Sequence, residues 1–189
     1  MTQGIIYPAG GVTAFVKNVQ HGSITMDGET LSDTATIDAV VLANSYIIWS
    51  GTSQADSSDD VYYESAVRLA LTNTTTVTAN MGELGDGNTI VKFCVVEFEE
   101  GVIKTNQSGV ITLKDNVHTS RTATLGTEVA MDKSMCLYLG QTADFWGDND
   151  ELFANLALTD VDTVTATRDA DGGSDDITIT IGYQVVEFN

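Results

Sequence analysis

The chain has one proline, two cysteines, two histidines and only eight lysines and arginines among 189 residues. Each scarcity removes a class of protein. With Lys+Arg 8 against Asp+Glu 27, the formal net charge is -19 and the pI about 4.1. A surface that attracts DNA, RNA or anionic lipid is hard to build from that balance, so no nucleic acid and no membrane is expected as a partner. No apolar run approaches the roughly 18 residues of a membrane-crossing helix. The stretch Met1 to Pro8 has neither a basic start nor a long apolar core, so no ordinary secretion signal is expected. Cys94 and Cys136 lie far apart in apolar runs, outside any C-x-x-C pair or dense disulfide framework, which predicts free thiols. What is present is a 42% hydrophobic composition. That is too apolar for a disordered acidic tail, and the length suffices to bury a core.

The chain resembles itself. Leu69-Ala70-Leu71-Thr72 with Thr76-Val77-Thr78-Ala79 recurs at constant offset as Leu156-Ala157-Leu158-Thr159 with Thr163-Val164-Thr165-Ala166. Upstream, Lys17, Gln20, Gly22, Ile24 and Thr25 match Lys104, Gln107, Gly109, Ile111 and Thr112. Thr34-Ala35-Thr36 matches Thr122-Ala123-Thr124, Ser45 to Gly51 matches Ser134 to Gly140, and Val95-Val96-Glu97-Phe98 returns as Val185-Val186-Glu187-Phe188. Matches that keep their order mark a duplication. They divide the chain into an N-terminal arm, 1–14, and two repeats, 15–100 and 101–189.

Within a repeat, short runs rich in Thr, Val and Ile alternate with period two and are separated by Gly, Asn and Asp clusters. Asn73 and Asp160 fall at equivalent positions between strands and read as tight turns. About six strands per repeat follow. The expected fold is all-β: two tandem antiparallel β-sandwich repeats, jelly-roll or immunoglobulin-like. Only Asp148 to Leu158 hints at a helical turn.

The string Gln20-His21-Gly22-Ser23-Ile24-Thr25, followed by Thr34-Ala35-Thr36-Ile37, Arg68-Leu69-Ala70-Leu71-Thr72-Asn73, Thr75-Thr76-Val77-Thr78-Ala79 and the closing Val95-Val96-Glu97-Phe98, resembles a module of small β-rich virion structural proteins. These belong to tailed bacteriophages and related archaeal viruses, as capsid decoration or tail-associated components. The chain is similar to two such modules in tandem, although the second has Asn155 in place of Arg68 and longer acidic loops. The resemblance implies a virion location, with the major capsid protein and sibling copies as partners; the duplication adds that three chains, as a homotrimer, can present six similar modules to a sixfold or pseudo-sixfold lattice.

The excess of Asp and scarcity of Lys suit a protein that stays soluble in concentrated salt. At about 1 M salt the Debye length shrinks to about 3 Å and self-repulsion is screened. Clustered carboxylates also nominate Ca²⁺ ligands, Asp148 and Asp150 in one loop and Asp169 and Asp171 in another, since calcium collects several oxygens. Neither loop has EF-hand spacing, so solvated loops are the competing reading and no cofactor is required.

An enzyme is not expected. His21, before Gly22-Ser23, lacks the third group that orients a nucleophile's base and reads as a turn histidine, and His118 as a loop residue. Glu97 and Glu99 share a strand face, yet acid/base work needs a cleft and separated pKa values. Trp49 reads as a core or inter-sheet aromatic. Trp146, without a counterpart in the first repeat, is a candidate partner contact, as are Ile5, Ile6 and Tyr7 of the arm. The expected function is a non-enzymatic capsid decoration or cement subunit; the competing one is a tail or spike component that binds a host-surface receptor through its acidic loops.

Overall fold

The computed structural model describes residues 15–54, 65–85, 87–114, 119–144, 153–168 and 177–189. The expected contact residues Ile5, Ile6, Tyr7 and Trp146, the expected metal ligands Asp148, Asp150, Asp169 and Asp171, and His118 lie outside them.

The described residues form an all-β protein. In the first half the strands are β1 (Val16–Met26), β2 (Ser32–Thr36), β3 (Ser45–Gln54), β4 (Val67–Asn73), β5 (Thr76–Met81) and β6 (Thr89–Phe98). In the second they are β7 (Ile103–Lys114), β8 (Ser120–Thr124), β9 (Ser134–Asp144), β10 (Ala154–Asp160), β11 (Thr163–Arg168) and β12 (Thr178–Phe188). Short 3-10 turns, Leu42–Asn44 and Met131–Lys133, precede β3 and β9. The helical hint is corrected where it can be read, because Ala154 to Leu158 is strand. His21 is likewise no turn residue but an exposed member of β1, opposite Cys94.

All strand pairing among the described residues is antiparallel. The first half makes the orders β1-β6-β3 and β2-β5-β4, and the second makes β7-β12-β9 and β10-β11-β8. The second half therefore reproduces the first strand for strand. The halves meet where Arg68 of β4 pairs with Gly140 of β9, fusing two of these sheets into β2-β5-β4-β9-β12-β7.

Local chemistry explains the agreement between the halves. Asn73 Oδ1 accepts the Thr75 N–H at 2.9 Å, an Asx turn that reverses β4 into β5, and Asp160 Oδ1 accepts the Val161 N–H at 2.7 Å after β10. Gly22 lies under the Phe93 ring and Gly109 under Tyr183, each directly across the strand pair. A side chain at either glycine would collide with the ring, so the glycine and the aromatic fix the same register twice. Alternation buries one face of each strand. Ile24, Met26, Val77, Ala79, Val91, Phe93 and Val95 sit in one core, and their counterparts Ile111, Leu113, Val164, Ala166, Ile181, Tyr183 and Val185 in another.

A third apolar cluster joins the halves: Cys94, Val96, Phe98, Ile103 and Val186 are buried together, with Tyr46, Met135, Leu137 and Phe188 packed around them. The first core also takes Leu139 from β9. Strand β6 is therefore buried on both faces from Phe93 to Phe98.

Candidate functional site

Among the described residues two features combine unusual burial with polar chemistry: a carboxylate clamp made once in each half, and a groove where the halves meet.

The clamp is built on the recurring Val-Val-Glu-Phe strand. Glu97 is 2% exposed and Glu187 fully buried. Glu97 Oε1 accepts from Lys17 Nζ at 2.9 Å and from the Val41 N–H at 3.0 Å. Glu187 Oε1 accepts from Lys104 Nζ at 2.7 Å and from the Ala130 N–H at 3.2 Å. Ser45 Oγ and Ser134 Oγ then bond back to the Val41 and Ala130 carbonyls. A carboxylate without solvent needs such partners, and here they tie the loop before the 3-10 turn to the central strand. The hydrogen bond from Lys104 is the main reason the Glu187 carboxyl is held below its ordinary range, against the opposing pull of burial. Its bond to Glu97 likewise raises Lys17. Glu97 is thus half of a structural ion pair, while Glu99 is exposed. Lys17 and Lys104 stand among the sequence matches, and so do Glu97 and Glu187; the signal that links them is that both members of the pair recur.

The groove, about 420 Å³, lies between the start of β3, strand β4 and the outer face of β7, β9 and β12. Its geometry depends on residues that break the repeat. Gln184 stands where the first half has Cys94. Its Oε1 accepts the Ile47 N–H at 3.1 Å, and its Nε2 donates to the Ser45 carbonyl at 3.1 Å and to Asn106 Oδ1 at 2.7 Å. Asn106 Nδ2 donates to the Leu42 and Ser45 carbonyls at 2.8 and 2.6 Å. The second half thereby satisfies main-chain groups of the first half that would otherwise be unpaired at the edge of β3.

Arg68 lies in the same groove. Its stem runs over Gly182, where an added Cβ would come within 2.9 Å of Cγ. Gly140, at φ +83, brings the β9 backbone against the Val67 carbonyl in a conformation that other residues rarely adopt. Among the described residues the Arg68 guanidinium has no ion pair and its buried Nε no hydrogen-bond partner. Burial without a counter-charge lowers its pKa. Among the described residues no Asp or Glu lines the groove.

Beside the junction, Trp49 meets Tyr138 edge to face at 5.7 Å and 82°. Trp49 is partly buried against the first core, and its Nε1 is buried without a partner. Burial raises the Tyr138 hydroxyl well above its usual range. Cys94 and Cys136 are free thiols, with Cys136 pushed up to about 11 by burial.

Among the described residues no group of three or more His, Cys, Asp and Glu side chains is placed to hold a metal ion. Comparison with protein-family models, with curated proteins and with solved structures finds no match to this chain.

Proposed function

We propose that this chain is a non-enzymatic virion structural protein, a capsid decoration or cement subunit made of two β-sandwich repeats in tandem. The recurrence of the whole strand order, with the same clamp and the same glycine–aromatic register in each half, is the observation that carries this reading, together with the sequence resemblance. Two near-equivalent modules on one chain suit a lattice that offers near-equivalent positions. Three chains would offer six modules, so the partners are sibling copies in a homotrimer and the major capsid protein.

The interlocked junction supports a mechanical role. A cement subunit has to carry load between capsid subunits, and shared apolar packing plus main-chain hydrogen bonds between the halves transmits it better than a free tether. Exposed Phe15, Val16 and Val19, at the base of the N-terminal arm, are apolar surface available for a neighbour. The strongly negative surface belongs in this reading to a salt-rich medium.

The test is copy number. Quantitative mass spectrometry of purified particles of the encoding virus should find this chain and the major capsid protein in a ratio of similar order. A few copies per particle would move the chain to the tail or spike, and its absence would end the virion reading.

A further inference from the structure

We propose that the groove at the junction of the halves is a binding site for an aliphatic carboxylate, with Arg68 as its counter-ion. In a chain with 27 acidic and 8 basic residues, a half-buried guanidinium should find a carboxylate easily, and this one has none among the described residues. Leaving a charge out of water without a partner is costly, and the surrounding structure enforces the position. Gly182 clears the path of the arginine stem, while Gln184 and Asn106 hold the opposite wall through bonds that use up their amide donors.

The lining defines the ligand. Arg68 presents a planar fork that matches a carboxylate's two oxygens. Ser108, exposed on β7, adds a hydroxyl that has no hydrogen-bond partner among the described residues. Leu42, Leu71, Val110 and Leu139 supply apolar wall for a short hydrocarbon stem. Without Asp or Glu among the described lining residues, a cationic head gains nothing there, and a neutral one leaves the arginine unpaired. The site is made once per chain, because Asn155 stands at the Arg68 position of the second half and Lys92 at the Gly182 position of the first. The inference does not rest on the virion reading and can fail or stand without it.

Hexanoate, hexan-1-ol and hexylammonium are the probes, titrated against the intact chain by calorimetry and ligand-observed NMR. About 1 M salt is used, where the overall negative field extends only about 3 Å. The acetyl-Leu-Glu-Leu-amide peptide forms a second arm that presents the same carboxylate on a protein-like backbone. Hexanoate or the peptide should bind at least about tenfold tighter than hexanol, with hexylammonium not binding, a gap expected of a charge-assisted pair. Arg68→Met should remove that advantage while leaving hexanol unchanged. Preference for the free acid or for the peptide tells a small-molecule ligand from a side chain of a partner, and either supports the site. Equal binding of hexanoate and hexanol, full hexanoate affinity in Arg68→Met, or binding of neither carboxylate overturns it. Should Arg68→Met fail to fold, amide shifts in the unmutated chain decide: carboxylate-specific shifts at Ser108 and Val110 support the site, and their absence overturns it.

Discussion

Phe98 and Phe188 close the same Val-Val-Glu-Phe sequence in the two halves, and their rings meet edge to face at 5.8 Å and 73°. Corresponding residues of the two halves thus touch each other, and Tyr46 adds a third ring at 5.5 Å from Phe98. Phe98→Ala should destabilise the chain by about 3 kcal/mol, the usual cost of emptying a buried aromatic site. A double-mutant cycle with Phe188→Ala should give a coupling of about 1 kcal/mol for the ring pair. Urea unfolding of the four variants measures both, and a coupling near zero would mean that the two rings act separately.

The glycine–aromatic pairs should be equally intolerant in both halves. Gly22→Ala and Gly109→Ala each drive a methyl into a facing ring, at a cost of about 1–3 kcal/mol for overpacking. Equal losses of the urea midpoint are the expected result. A loss confined to one variant would show that the two registers are held differently.

Gln184 is, with Asn106, a polar link between the halves. Gln184→Leu removes the partner of the buried Ile47 N–H, and an unsatisfied buried donor costs about 1–3 kcal/mol. Amide exchange should read this locally, with faster exchange at Ile47 while the second core, around Ile179, stays protected.

The clamps make stability depend on pH at both extremes. The Glu187 carboxyl lies below its ordinary 4.5 in the folded chain. Its contribution is therefore full above that value and is lost as pH falls through the lower folded one. Lys17 lies above its ordinary 10.5, so its contribution is full below that value and is lost as pH rises through the higher folded one. Thermal melts of Glu187→Gln should lose the acid-side dependence, and those of Lys17→Met the alkaline-side one, relative to the unmutated chain.

The thiols should be slow to react. Burial pushes Cys136 to about 11 and raises Cys94, so little thiolate exists at pH 8. Iodoacetamide should label both residues far more slowly in the native chain than in urea, as followed by intact mass. Rapid native labelling of Cys94 would show that the cluster between the halves opens, and of Cys136 that the packing against the second core does.

The sequence itself determined the strands and the turns between them, because turn chemistry and period-two alternation act over a few residues. Asn73 and Asp160 fold their turns by bonds to the next residue or two, and Thr76-Val77-Thr78-Ala79 and Thr163-Val164-Thr165-Ala166 alternate in burial as written. The candidate site was less legible. Lys17 and Glu97 are 80 positions apart, and the groove is made by Gln184, Asn106, Gly182 and Arg68, which the repeat pattern marks only as departures.

Only the tertiary structure decided what happens to identical sequence. Leu69-Ala70-Leu71-Thr72 and Leu156-Ala157-Leu158-Thr159 read alike, yet Leu69 is wholly buried and Leu156 only partly so. The reason is a neighbour: β4 has β9 along its edge, while β10 ends its sheet. In the same way Val96 and Val186 point away from their own cores and would read as exposed strand positions, but the two halves bury them against each other. Alternation tells a residue which face it is on, and packing between distant strands decides whether that face meets water.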